Sequence, residues 1–176
     1  MANLKNEDGK TLATRVRLFK GWNVVLALVL VGAIAGLAAC SGSVKGETFD
    51  DTFTKWVTTS APAAGVVANM VGVVGGDVGP GTYAGELLSA NTVGNTTTIH
   101  AVYHFNGSKH TFTADLNITQ DETAGTAALA GQVTDGWLKG APVTGEYKIL
   151  STCPMVTPDN AYDKTCFQGT VHVISP

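Results

Sequence analysis

The sequence predicts a mainly β protein: a single antiparallel meander of about six strands forming a small barrel or strongly curled sheet, with one short N-terminal helix. From Thr82 onward, apolar and polar residues alternate with a period of two. Turn residues separate the alternating segments, and four of these segments carry an interior glycine. With 44% hydrophobic and 14% charged residues in 176, the composition is that of a globular protein.

The N-terminal part of the chain has the pattern of an export signal. Residues 24–39 form an uncharged apolar run that follows a basic segment. A membrane-spanning helix needs about 20 apolar residues, so this shorter run favours a signal peptide, with a signal anchor as the alternative. The junction Leu37-Ala38-Ala39-Cys40 resembles the lipobox of bacterial lipoproteins. The resemblance implies that residues 1–39 are removed and that Cys40 carries a diacylglyceryl group, commonly with an additional acyl chain such as palmitate.

This processing defines the predicted domain organisation. Residues 40–47 would form a lipidated tether, and residues 48–176 one β-barrel-like domain of ordinary size. Two or three acyl chains anchor a protein stably to a membrane. Ser41 resembles the residue that permits sorting to the outer membrane in a Gram-negative host. We therefore expect a cell-envelope protein whose domain lies outside the cytoplasm.

The cysteine count agrees with export. Cys40 is the odd one of three, which leaves Cys153 and Cys166 as a pair in an oxidising compartment. We predict a disulfide between them, which would stabilise the fold by roughly 3 kcal/mol through loop closure. The alternative, a zinc site, lacks four ligands, because no histidine lies on the same segment.

The first segment of the domain has helical spacing. Phe49, Phe53 and Trp56 follow one another at i, i+4 and i+7, and acidic residues occupy the first turns. This pattern predicts a short helix over residues 47–56. The next segment, residues 61–81, is apolar and glycine-rich, and a buried strand, a loose helix and a packed loop all remain open.

The alternating segments predict the strands. Asn106-Gly107 indicates a tight hairpin turn, because these residues readily adopt positive φ angles. The turn can contain two or four residues. Either length leaves His100 and His104 on the solvated face and places the apolar residues of both strands on the opposite face. That face consists of Ile99, Ala101, Tyr103, Phe105, His110, Phe112, Ala114, Leu116 and Ile118. The six predicted strands are residues 83–89, 96–105, 110–119, 125–133, 143–150 and 166–174.

Four of these strands carry a glycine on the apolar face: Gly85, Gly131, Gly145 and Gly169. An inward glycine marks a bend, a bulge or the close approach of another backbone. Such bends relieve crowding on the concave side of a sheet that closes on itself. The glycines therefore favour a barrel over a flat sheet.

The candidate ligand-binding residues are Tyr103, His110, Phe112 and Trp137, at the predicted barrel mouth. His110 is either a histidine at the rim of the core, bonded to a backbone carbonyl, or a pocket donor that titrates near neutral pH. Trp137 lies in a loop, residues 134–140, that either caps the barrel or contacts a partner, and we favour capping. An apolar concave face with one titratable group at its rim is a common form of ligand site.

Other sites are not expected. His100 and His104 would lie roughly 13 Å apart on a strand, too far to bind one metal ion, and no cofactor motif occurs. The glycine motif at residues 79–84 indicates a turn, since a strand pattern rather than a helix follows it. After residue 39 the chain has six lysines, no arginine and twelve acidic residues, which argues against nucleic-acid binding.

The sequence therefore leads to one function and two alternatives. The first is a lipid-anchored envelope protein that binds a small or apolar ligand, or an envelope protein partner, at the barrel mouth. The alternatives are a surface structural or adhesion module without a ligand pocket, and an isomerase or cyclase that uses His110 with an acid. Residues 166–170 resemble the closing strand of plant cyclase and dirigent-type β-barrels. Together with residues 133–141 they also resemble uncharacterised exported bacterial proteins, and neither resemblance implies site residues.

Overall fold

The computed structural model describes residues 46–176, in which eight antiparallel strands follow one another along the chain. Each strand pairs with the next, and the last pairs with the first, so the sheet is a closed barrel without a free edge. The predicted β-barrel is confirmed, but the number of strands was wrong, since there are eight rather than six. They are β1 (Thr48–Val57), β2 (Ala68–Gly76), β3 (Gly81–Val93), β4 (Thr96–Gly107), β5 (Thr111–Asp121), β6 (Thr126–Gly136), β7 (Pro142–Leu150) and β8 (Cys166–Ile174).

The predicted N-terminal helix was wrong, because its residues form strand β1. A spacing of four places Phe49 and Phe53 on one face of a strand as well as on one face of a helix. Seven of the ten residues in β1 are β-branched or aromatic, a composition that favours a strand. The alternation is hidden because Asp51 and Lys55, both buried, stand at inward positions where apolar residues are expected.

The segment of residues 61–81, whose structure the sequence leaves open, contains strand β2 over Ala68–Gly76. Met70 and Val74 are buried on its inward face, and Gly72 lies between them, paired with β1 and β3. A Cβ atom on Gly72 would collide with the backbone carbonyl of Thr54. Gly72, which weakens the strand pattern in the sequence, is therefore required by the close approach of β1.

The predicted inward faces of β4 and β5 are confirmed, but the predicted turn at Asn106-Gly107 was wrong. Tyr103 pairs with Ala114 and Phe105 with Phe112, all four buried. Neither Asn106 nor Gly107 has a positive φ angle, and β4 continues through both residues. Gly107 is instead needed because a Cβ atom there would collide with the backbone of Val78.

Close backbone contacts also explain three of the four interior glycines. A Cβ atom on Gly131, Gly145 or Gly169 would collide with a carbonyl oxygen of the neighbouring strand. On Gly169 it would in addition meet the ring of Phe53, which fills the centre of the barrel. The glycines thus allow a barrel narrow enough for its rings to pack across it, as the sequence predicts.

The loop between β7 and β8 lies over the end of β1. The amide of Tyr162 donates to the carbonyl of Val57, and Thr58 forms a bridge with Ala161. Trp56 points outward from β1, yet only 2% of its surface is exposed. The predicted disulfide between Cys153 and Cys166 is confirmed, and it ties this loop to the start of β8.

Residues 46–176 contain no helix that is long and apolar enough to cross a membrane. The predicted signal peptide and the lipidation at Cys40 lie outside the described residues. The predicted domain of residues 48–176 begins where β1 begins.

Candidate functional site

The two ends of the barrel differ in how they are filled. We call one the Trp137 end, where the turns β2–β3, β4–β5 and β6–β7 meet. We call the other the Lys55 end, where the β1–β2 and β7–β8 loops lie with the turns β3–β4 and β5–β6. The inward side chains near each end determine whether a small molecule can enter the barrel interior from that end.

At the Trp137 end, aromatic rings pack across the opening. The ring of His110 stacks on Trp137 with centroids 4.1 Å apart, and Phe49 contacts the same indole edge-on at 4.7 Å. Phe112 lies 6.5 Å from Trp137 and stacks on Phe105 at 4.5 Å. Trp137 and its neighbour Leu138 both pack against the core, so this loop caps the barrel, as we expected.

Three of the four candidate residues thus lie together at the Trp137 end, whereas Tyr103 lies deeper in the barrel and is fully buried. Within residues 46–176, no carboxylate forms a hydrogen bond or ion pair with His110, the contact that the isomerase or cyclase hypothesis requires. The other histidines lie on the outer face, where His100 meets Asp115 at 2.8 Å and His172 meets Asp50 at 2.6 Å.

An interior cavity of about 180 Å³ lies toward the Lys55 end. Its wall is mainly apolar, and the polar groups in it belong to Lys55, Tyr103, Gln120 and Tyr147. Strand β3 has an irregular register between Leu87 and Ser89 beside it, a feature often found next to binding sites. The remaining lining residues are Val57, Met70, Leu87, Ile99, Ala101, Ile118 and Phe167.

Lys55 is the unusual residue of this cavity. It lies on the inward face of β1 near the C-terminal end of the strand, paired with Gly72 on one side and Phe167 on the other, and only 3% of its surface is exposed. Its Nζ donates a hydrogen bond to the hydroxyl of Tyr103. The amine lies 4.0 Å from the ring centroid of Tyr103 and 4.8 Å from that of Tyr147.

The environment of Lys55 disfavours its charge. Burial lowers the pKa of the Lys55 amine well below its ordinary value. Among the described residues, no carboxylate forms an ion pair with it. Burial likewise raises the pKa values of Tyr83 and Tyr103, so both phenols stay protonated. Burial therefore favours the neutral form of the amine, which lies beside a neutral phenol in the cavity wall.

A chain of hydrogen bonds leads from the cavity to the surface. The hydroxyl of Tyr147 donates to Oε1 of Gln120 at 2.6 Å, and Nε2 of Gln120 donates to Glu122 at 2.8 Å. Glu122 is exposed and also accepts a hydrogen bond from Thr97. Burial and then the charge of Glu122 raise the pKa of Tyr147. These bonds fix the positions of Gln120 and Tyr147, two polar residues that line the cavity together with Lys55.

Asp51 is the second buried ionisable residue of β1. Its Oδ1 accepts a hydrogen bond from the amide of Val78 at 2.7 Å, and Oδ2 has no hydrogen-bond partner within residues 46–176. Burial raises the pKa of Asp51 to about 6, and the nearby charge of Asp77 adds to that effect. It lies two inward positions from Lys55, with Phe53 between them, so the two groups do not pair.

A larger depression of about 1060 Å³ lies on the outer wall. It is lined mostly by outward-facing residues of several strands, including Thr52, Thr119, Lys148 and Gln168. Size alone would favour this depression, but most of its lining is exposed or half-buried, and it contains neither Lys55 nor Asp51. Neither this depression nor the interior cavity is lined by His110, Phe112 or Trp137.

The sequence interpretation missed Lys55 and Asp51 because it assigned their segment to a helix. A signal was present: Phe49, Asp51, Phe53, Lys55 and Val57 are alternate residues, and the residues between them are mostly polar. Testing a period of two from residue 48 would have placed both charged groups on an apolar face, where such groups are rare unless paired. The fold and this cavity define a closed eight-stranded barrel that has an internal chamber with one buried amine.

No protein-family model, curated protein or solved structure matches this chain.

Proposed function

We propose that this protein binds a small, largely apolar molecule in the interior cavity beside Lys55. The observation that carries the proposal is a cavity of about 180 Å³ in the barrel interior, lined by a buried lysine that has no acidic partner among residues 46–176. A closed barrel of eight strands is just wide enough for side chains to fill it or for one small ligand to be held inside it.

The composition of the cavity wall supports this proposal. Ligand sites are concave and mostly apolar, with a few polar groups that orient the ligand. Here Met70, Ile99 and Ile118 supply apolar surface, while Lys55 and Gln120 supply the polar groups. The position differs from the mouth that the sequence suggests, since of the four residues named there only Tyr103 lines the cavity.

We further propose that the barrel works in the cell envelope, held there by a lipid on Cys40. The lipobox resemblance at residues 37–40 supports this location. The disulfide between Cys153 and Cys166 also supports it, because such bonds persist in oxidising compartments and are rare in the cytosol. Residues 40–47 are long enough to act as a short tether between a lipid and β1.

The binding proposal is tested by filling the cavity. Ala101 is fully buried and lines it, so Ala101→Leu would place a larger side chain in the ligand space. With toluene as the probe, we expect binding followed by NMR shift perturbation to weaken by about tenfold or more, equivalent to at least ~1.4 kcal/mol.

The matched control is Val102→Leu, which enlarges the next residue of the same strand on the outer face. Toluene should bind this variant as it binds the native protein. Shift changes that centre on Trp137, or equal affinity for all three proteins, would contradict a site beside Lys55.

The anchor is tested by mass spectrometry of protein purified from membranes of its natural host. We expect a mature chain that begins at Cys40 and carries a diacylglyceryl group with an additional acyl chain. In Cys40→Ser this mass should disappear, and the protein should leave the membrane fraction. A native chain that retains residues 1–39 without lipid would overturn the location without affecting the binding site.

A further inference from the structure

The amine of Lys55 is more than a generic polar group in the cavity wall. Its hydrogen bond to the hydroxyl of Tyr103 uses one N–H, so the lone pair of the neutral amine remains free. Four aromatic rings surround it within 5.5 Å of their centroids, those of Phe53, Tyr103, Tyr147 and Phe167. The amine lines the cavity, and so a bound molecule can reach it.

An amine in this position has two chemical uses. As an ammonium ion it would pair with an anionic ligand, and as a neutral amine it would attack a carbonyl carbon. The ammonium form requires a buried charge, which is expensive without a counterion. The described residues provide no such counterion, and burial lowers the pKa of this amine. The neutral form, a nucleophile, is therefore the form that this cavity favours.

We propose, on the basis of the binding function above, that Lys55 captures a small apolar aldehyde from the cavity as an imine. The lone pair of Nζ attacks the carbonyl carbon, and the carbonyl π electrons move to oxygen, which takes a proton from the nitrogen. The nitrogen lone pair then forms the C=N bond as the C–O bond breaks. The hydroxyl leaves as water with a proton from Tyr103, and the iminium nitrogen returns a proton to Tyr103. One aldehyde and one amine give one imine and one water, without oxidation or reduction.

The size of the cavity limits the aldehyde. An apolar protein cavity of about 150 Å³ is known to take up benzene. The cavity here, at about 180 Å³, has room for one aromatic ring with a formyl group, or for a short aliphatic chain of similar volume. With the formyl group at Lys55, the apolar part would lie against Met70, Ile99 and Ile118.

The experiment uses benzaldehyde as the probe, with sodium cyanoborohydride to reduce any imine to a stable amine. We expect an intact mass increase of one benzyl group, and peptide mapping of the native protein should place it on Lys55. An exposed lysine is almost entirely protonated at neutral pH, so Lys55 should be labelled about 100-fold faster than exposed Lys148 or Lys139. This preference should shrink as the pH approaches 10, because the exposed amines then lose their protons.

Two variants test the assignment. Lys55→Met should lose the fast label and Lys148→Met should retain it, while Tyr103→Phe should slow the labelling by removing the proton donor. Since the mapping uses native protein, the assignment does not depend on the folding of Lys55→Met. Denatured protein should show no preference among its lysines.

The outcomes separate this inference from the binding function. If toluene binds in the cavity and benzaldehyde labels only exposed lysines, the imine is wrong and the binding function stands. If benzoate binds with uptake of a proton in place of imine formation, Lys55 acts as an ammonium ion and the inference is overturned. If neither toluene nor benzaldehyde perturbs the cavity residues, both proposals fail.

Discussion

Replacing Lys55 with methionine is expected to stabilise the protein at neutral pH by about 1–4 kcal/mol, the range found when buried ion pairs give way to apolar side chains of similar volume. Among the described residues Lys55 has no ion-pair partner that would offset the cost of its burial. Methionine has a similar length and packs well against aromatic rings, of which Lys55 has at least four nearby. The gain arises because folding of the native protein takes a proton from an amine that holds it readily in the unfolded chain. Urea unfolding of both proteins at pH 7 measures the difference.

The same substitution should change how stability depends on pH. The folded pKa of Lys55 lies below its unfolded value, so between these two values the unfolded chain binds more protons than the folded protein. The free energy of unfolding of the native protein should therefore rise as the pH approaches 10, and Lys55→Met should lack this contribution. Lys148→Met, at an exposed site on β7, is the control and should leave the slope unchanged.

A contrary result would be equally informative. If Lys55→Met is less stable than the native protein and the pH slopes are identical, the aromatic rings hold a buried ammonium ion by cation–π attraction. The interior would then carry a positive charge at neutral pH, and the cavity would select anions rather than carbonyl compounds.

A strand could be predicted from the sequence where apolar and polar residues alternate regularly along it. In β4 and β5 every inward residue from Ile99 to Phe105 and from Phe112 to Ile118 is apolar, and both the strands and their inward faces could be predicted. In β1 the inward face alternates between aromatic and charged residues. The hydropathy of β1 therefore shows no period of two. The spacing of its aromatic residues instead matched a helix, and the segment was interpreted as one.

The same residues explain why the candidate site was only partly predicted. Parity arguments identified Tyr103 as an inward residue, and the structure places it on the cavity wall. They also identified His110 and Phe112, but no periodicity shows that Trp137 folds over that end of the barrel and fills it. The cavity exists because β1 and β2 close the sheet. The predicted meander of six strands lacked both of these strands, so the cavity could not be predicted.

The remaining large effect is expected from Asp51→Asn, which should abolish a loss of stability between about pH 4 and pH 7. The pKa of Asp51 is about 6 in the folded protein, above its ordinary value of 3.8, so the folded state holds this proton more tightly than the unfolded chain does. Below about pH 4 both states are protonated and the burial carries no penalty. As the pH rises to 6 the unfolded chain ionises first, and the free energy of unfolding falls by at most about 3 kcal/mol.

Asparagine suits this test because its side-chain oxygen can still accept the hydrogen bond from the amide of Val78. It cannot ionise, so at pH 7 the variant should be more stable than the native protein, with little difference near pH 4. Asp135 is exposed, and its Oδ1 lies 3.6 Å from Nζ of Lys139. Asp135→Asn should therefore retain the native pH dependence, because exposed ion pairs contribute little to stability. If the pH profiles of Asp51→Asn and the native protein coincide, water reaches the Asp51 carboxylate, and the Trp137 end is more open than its packed rings indicate.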